Sequence, residues 1–153
     1  MHLWNGITLL RRGELVEAEQ LLRTGRSELA LWGELPVDGA YFTSTIALAR
    51  LEQGDIARAR RELGTRPGPQ YDHHDAGHLW MRTEAEVLLA EGRADEALAC
   101  TEHYGASVGR LTNPAWVPWR SLRATALGHL GRTDEAFRIA DEELAHALAL
   151  WSP

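Results

Sequence analysis

Residues 9–18 read LLRRGELVEA, residues 50–59 RLEQGDIARA, residues 88–97 LLAEGRADEA and residues 127–136 LGHLGRTDEA. In each stretch a glycine (Gly13, Gly54, Gly92, Gly131) closes an apolar run, and an alanine (Ala18, Ala59, Ala97, Ala136) follows five positions later. The glycines stand 41, 38 and 39 residues apart. Self-similarity at a period near 40 residues is the signature of stacked supersecondary units. Glycine ends a helix well because it enters the left-handed region without the Cβ penalty. Asp55, Asp95 and Asp134 then fall at the cap or in the first turn of the following helix, where unpaired N–H groups favour a carboxylate. The small alanine lets two antiparallel helices come close. The expected fold is all-α, a right-handed α-solenoid of about four antiparallel helix pairs.

Working outward, the pattern predicts one helical-repeat domain with units at approximately 1–25, 38–64, 75–108 and 114–151. Helices are expected at 2–12 and 14–25, 38–53 and 55–64, 75–91 and 93–108, and 115–130 and 132–151. Asp38 is the expected N-cap of the third helix. TRPGPQYDHHD (65–75) is a loop, because two prolines so close together cannot continue a helix. TNPAWVPW (112–119) announces the seventh helix, with Asn113 or Thr112 as cap and Pro114 in the first turn. Alternating β-branched runs are absent, so no strand is expected.

The formal net charge is −6, from 22 acidic and 16 basic residues. A duplex-binding surface needs a basic patch, so direct nucleic-acid contact is not expected. All the basic residues are arginine, which together with the abundant alanine reads as a base-composition bias rather than as chemistry. The lone Cys100 lies in an expected helix, so no disulfide framework is expected and the residue reads as a small packing group. No apolar run approaches the roughly 20 residues of a membrane span, and no signal-peptide pattern opens the chain. A cytoplasmic location is the expectation.

The glycine-to-alanine step resembles the tetratricopeptide repeat, in which a glycine ends the first helix and an alanine opens the second. The period here exceeds that family's 34 residues, and Glu84 and Arg123 stand where its pattern wants a large apolar residue. The segment NPAWVPWRSLRATALGHLGRTDEAFRIADEELAHALALW (113–151) resembles the helical section of the large ATP-binding LuxR-type regulators, the maltose-regulator-like group. GHLWMRTEAEVLLAEGRADEALA (77–99) is similar to the unit before it. The resemblance implies a regulator with an ATPase switch before this array and a helix-turn-helix after it. The chain carries neither a GxxxxGK[ST] phosphate loop nor a basic recognition helix. The implied role is a sensor or interaction section of a transcription regulator, a fragment of a larger protein. It would bind a partner protein, a peptide or a small-molecule inducer.

Counting back from each turn glycine as in the tetratricopeptide pattern places Tyr41, Ser44, Leu48, Arg82, Glu86, Ser121, Thr125 and His129 on a concave ligand-binding face. Trp116 has no counterpart in the other units and is a further contact candidate. Trp80 and Trp119 both stand twelve residues before a turn glycine, which favours packing between neighbouring pairs. Asp72, His73, His74, Asp75 and His78 could pass for a metal cluster, with His74 and His78 one helical turn apart. Capping of the helix start accounts for the same residues more simply. No catalytic residue, metal or cofactor is expected. A free-standing scaffold is the alternative to the regulator section, and a metal enzyme built on His73, His74 and His78 is a remote one. The first helix is apolar around most of its girdle, and the last runs to Leu148, Leu150 and Trp151. Self-association through these terminal helices, most simply a homodimer, is therefore expected.

Overall fold

The computed structural model describes residues 1–31, 33, 36–109 and 113–151. Among these there are eight α-helices and no strand: α1 (His2–Arg11), α2 (Leu15–Leu31), α3 (Pro36–Glu52), α4 (Ile56–Leu63), α5 (Asp75–Ala90), α6 (Ala94–Ser107), α7 (Trp119–His129) and α8 (Thr133–Trp151). A short 3-10 turn, Pro69–Tyr71, lies in the 65–75 loop. The fold class is that of an α-solenoid of helix pairs.

All four repeats share one turn. Gly13, Gly54, Gly92 and Gly131 have φ between 74° and 80°. Each glycine N–H bonds the carbonyl three residues back, and the next N–H bonds the one five back, for example Gly92 to Leu89 at 3.0 Å and Arg93 to Leu88 at 2.9 Å. This paired bonding satisfies the last carbonyls of the first helix. The residue after the glycine opens the second helix, since its carbonyl accepts from the alanine N–H: Glu14 from Ala18, Asp55 from Ala59, Arg93 from Ala97 and Arg132 from Ala136. Asp55 also caps with its side chain, accepting from Arg58 N–H at 3.1 Å. Arg93 and Arg132 instead reach forward to Glu96 and Glu135 with two bonds each, at 2.6–2.7 Å. Those carboxylates hold both guanidiniums above their ordinary value, and Arg132 in turn holds Glu135 below the usual carboxylate range.

The chain forms two compact units, Met1–Thr83 and Glu84–Pro153. In the first, α1 packs on α2, α2 on α3 and α3 on α4. Leu22, Phe42 and Ile46 form a core cluster with Leu3 and Leu29 against it. Phe42 rests on Gly25, where an added Cβ would lie 2.8 Å from its ring and 2.5 Å from the His2 Cβ. In the second unit, α6 packs on α7 and α7 on α8, around Leu88, Ala97 and Ala126. Trp119 rests on Gly105, where a Cβ would lie 2.8 Å from its ring. Ala18, Ala59 and Ala97 are completely buried, whereas Ala136 is half-exposed.

Several boundaries differ from the sequence reading. Helix α2 runs on past Gly25 to Leu31, because Gly25 serves the close approach of Phe42 and His2 rather than a stop. Helix α3 begins at Pro36, so Asp38 falls in its first turn instead of capping it. Helix α7 begins at Trp119 and not at 115. Pro118 has no N–H and disfavours the helical region for the residue before it. Asn113 caps a single isolated turn instead, accepting from Ala115 N–H at 3.0 Å. Thr112, the other cap candidate, lies outside the described residues.

Candidate functional site

The predicted contact positions occupy the same register in different helices, ten and six residues before the turn glycine. In α3 these are Ser44 and Leu48, and both are buried. Helices α1, α2 and α4 all pack against α3, and residues 44–49 are buried without interruption. Ser44 and Leu48 therefore belong to the interior. In α5 the equivalent Arg82 and Glu86 are half-buried. In α7 the equivalent Ser121 and Thr125 are exposed, and so is His129, forming a polar stripe one helical turn apart. Ser121 Oγ donates to Glu143 Oε1 at 3.2 Å, and Thr125 Oγ1 to the Ser121 carbonyl at 3.0 Å. Glu143 is buried beside Arg120 at 3.6 Å, and Arg120 stacks 4.3 Å from the Trp119 ring centroid. Trp116 is exposed in the turn that precedes α7.

Tyr41 lines an open cleft of about 430 Å³ in the first unit. Trp4, Leu29 and Phe42 give it apolar walls, and His2 and Glu28 edge it, with Nδ1 to Oε2 at 3.2 Å. Of the counted positions Tyr41 lines this cleft; counting did not reach Trp4 and Glu28, because these come from the neighbouring pair and share no register with Tyr41. A second cleft of about 460 Å³ lies between α3 and the 65–75 loop, with Thr43, Tyr71 and Trp80 in its wall. Trp80 is buried and donates its indole N–H to the Leu63 carbonyl at 3.3 Å. Its role is packing, as its register predicts.

An ionic network joins α2, α3 and α4. Glu62 receives Arg23 at 2.9 Å, Arg50 at 3.3 Å and a close bond from Arg26. Glu19 receives Arg23 at 2.8 Å, Arg50 at 3.1 Å and Gln53 at 3.3 Å. Burial pushes the Glu19 carboxyl up, but Arg23, Arg50 and Gln53 outweigh it and hold it below the usual range.

The histidine cluster is dispersed by its own helix start. Asp72 pairs with Arg66 at 2.7 Å. His74 Nδ1 accepts from Ala76 N–H at 3.3 Å. His73 is exposed, and His78 is buried within α5. Among the described residues no three His, Cys, Asp or Glu side chains are grouped to hold a metal ion. No described helix is long and apolar enough to cross a membrane.

The tetratricopeptide repeat profile matches residues 2–31, 81–103 and 118–142, about half of the chain. The chain belongs to the tetratricopeptide repeat family. The matched stretches cover α1–α2 whole, α7 with the first half of α8, and the part of α5–α6 around the third turn. The pair α3–α4 is unmatched, yet Gly54 makes the same turn as in the other tetratricopeptide units. No curated protein and no solved structure matches the chain.

Proposed function

We propose that this tetratricopeptide array is a protein-interaction module that takes an extended peptide segment of a partner at the Tyr41 cleft. The observation that carries the reading is the cleft itself. Its volume, about 430 Å³, suits one or two peptide side chains. Trp4, Tyr41 and Phe42 offer rigid apolar area, and the Glu28–His2 edge offers a polar anchor. Trp116 and the Ser121, Thr125 and His129 stripe form a second contact surface in the other unit, and Arg82 and Glu86 join the contact set. Ser44 and Leu48 act from inside by holding α3 in place. The resemblance of 77–99 and 113–151 to the helical section of LuxR-type regulators supports a sensor role within a transcription regulator, with a small-molecule inducer as a further ligand class. A free-standing scaffold accounts for the family membership equally well. Reading the coding sequence outward in both directions separates the two: a phosphate-loop ATPase before the array and a helix-turn-helix after it mark the regulator.

Binding is tested by selecting displayed peptides on the chain and measuring their affinity by fluorescence anisotropy. Tyr41→Ala and Glu28→Gln are each expected to weaken selected peptides about tenfold or more. Peptides that ignore both substitutions place the docking surface elsewhere.

A further inference from the structure

The repeats supply an internal standard for what each helix face should meet. The second helix of a pair is covered by the first helix of the next, and the two run antiparallel. Arg26 near the end of α2 reaches Thr43 near the start of α3 at 3.4 Å, and Gln53 just past the end of α3 reaches the Leu15 carbonyl at the start of α2 at 3.4 Å. Nine residues after the turn glycine this covered face carries Leu22, Leu63 and Thr101, all buried. The equivalent Ala140 of α8 is exposed. Around it Phe137 is 67% exposed, Leu144 57% and Leu148 61%. Spacings of seven and four put these three on one face of α8.

Helix α1 shows the matching deficit. Five residues before the turn glycine, Ala49 of α3 and Ala126 of α7 are buried, but the equivalent Thr8 is exposed. Nine residues before it, Thr45 is buried and Leu122 half-buried, but Trp4 is 60% exposed.

We infer that the outer face of α8 in one copy of this chain takes α1 of a second copy, repeating the α6–α7 contact head to tail. The charges agree with that register. Where Arg123 of α7 meets Glu102 of α6 at 3.2 Å, the equivalent residues are Asn5 and Asp141, a donor facing a carboxylate. The antiparallel arrangement also brings Arg11, in the last turn of α1, to Asp134, in the first turn of α8; Arg12 and Glu135 are already paired with Glu14 and Arg132. The joint is heterologous, because the two faces differ. Each copy keeps one face of each kind open, so assembly continues beyond two.

The test is sedimentation velocity on the chain over a wide concentration range. The expected weight-average mass rises past twice 17.0 kDa without a plateau at the dimer. Leu144→Glu blocks the α8 face and Thr8→Glu the α1 face, and each variant alone should be monomeric. Mixed in equal amounts, they should give a capped dimer, joined through the one intact face of each. A wild type that stays monomeric overturns the inference. So does a Thr8→Glu variant that still dimerises, which marks a symmetric α8–α8 contact, or a Leu144→Glu variant that does. If circular dichroism shows that either variant has lost helix, Leu148→Asp and Asn5→Glu replace them at neighbouring exposed positions. Trp4 belongs to both surfaces, so the readouts are separated by Leu144→Glu, which leaves the cleft lining unchanged. It should lose stacking and still bind selected peptides, and lost peptide binding there would count against the cleft and not against the stacking.

Discussion

The joint between α2 and α3 and the joint between α6 and α7 solve the same problem with different chemistry. Both seat an aromatic ring, twelve residues before a turn glycine, on a glycine of the preceding helix: Phe42 on Gly25 and Trp119 on Gly105. Around that shared contact they part. The first joint is tied by five charged side chains from three helices, with Glu62 and Glu19 mostly buried among Arg23, Arg26 and Arg50. The second has the apolar cluster of Leu88, Ala97 and Ala126 and the cross-helix pair Arg123–Glu102, whose carboxylate stands more than half in water. The steric notch is thus the common device, and the electrostatics around it are free to vary.

The largest expected effect comes from filling the notch. Gly25→Val and Gly105→Val each drive a branched side chain into a ring, and overpacking of this kind costs about 1–3 kcal/mol or more. Gly25→Val should be the worse, because its Cβ meets both Phe42 and His2. Urea denaturation measures both, and equal stability to wild type would show that the rings move aside freely.

Next in size is Arg50→Met. It removes partners of both Glu19 and Glu62 and leaves two mostly buried carboxylates short of a donor, at a cost of about 1–3 kcal/mol. In the second joint, Arg123→Ala leaves behind Glu102, which is more than half exposed and can be hydrated, so loss of the pair itself should cost only about 0–1 kcal/mol. A loss there as large as that of Arg50→Met would erase the contrast between the joints.

The smallest effect is set by pH. Glu19 lies below its ordinary 4.5 in the folded chain. A lowered carboxyl contributes stability that is fully present above the unfolded value and is lost as pH falls through the folded one. Hydrogen-exchange protection in α2 and α3, taken relative to the intrinsic amide rate at each pH, should therefore fall below about pH 4.5, and Glu19→Gln should flatten that dependence. Glu135 is also lowered, but it stands in solvent, where screening leaves little coupling to stability. Matching acid sensitivity in α8 would contradict this ordering.

The four turns were legible because their information is local. A glycine forced to positive φ, a polar residue after it and an alanine five places on are all fixed within ten residues. The notches were not legible, since Gly25 and Gly105 sit mid-helix and only the approach of another helix explains them. The same limit governed the contact face. Ser44 and Ser121 share a register and differ wholly in exposure, because α1, α2 and α4 all close over α3 and nothing near either serine in the sequence announces that. Position within a repeat says which way a side chain points along its helix. What meets it there depends on the neighbouring pairs.

The shared glycine turn also orders events as the chain folds. Two helices that meet across so short a link close a small loop, and closing it costs little chain entropy. Each hairpin can therefore form on its own as soon as its residues are available, by contacts close in sequence. Bonds such as Arg23 to Glu62 span 39 residues and become available only after two hairpins exist. Assembly then proceeds by docking preformed pairs, which makes the turns early events and the ionic lattice of the first unit a late one.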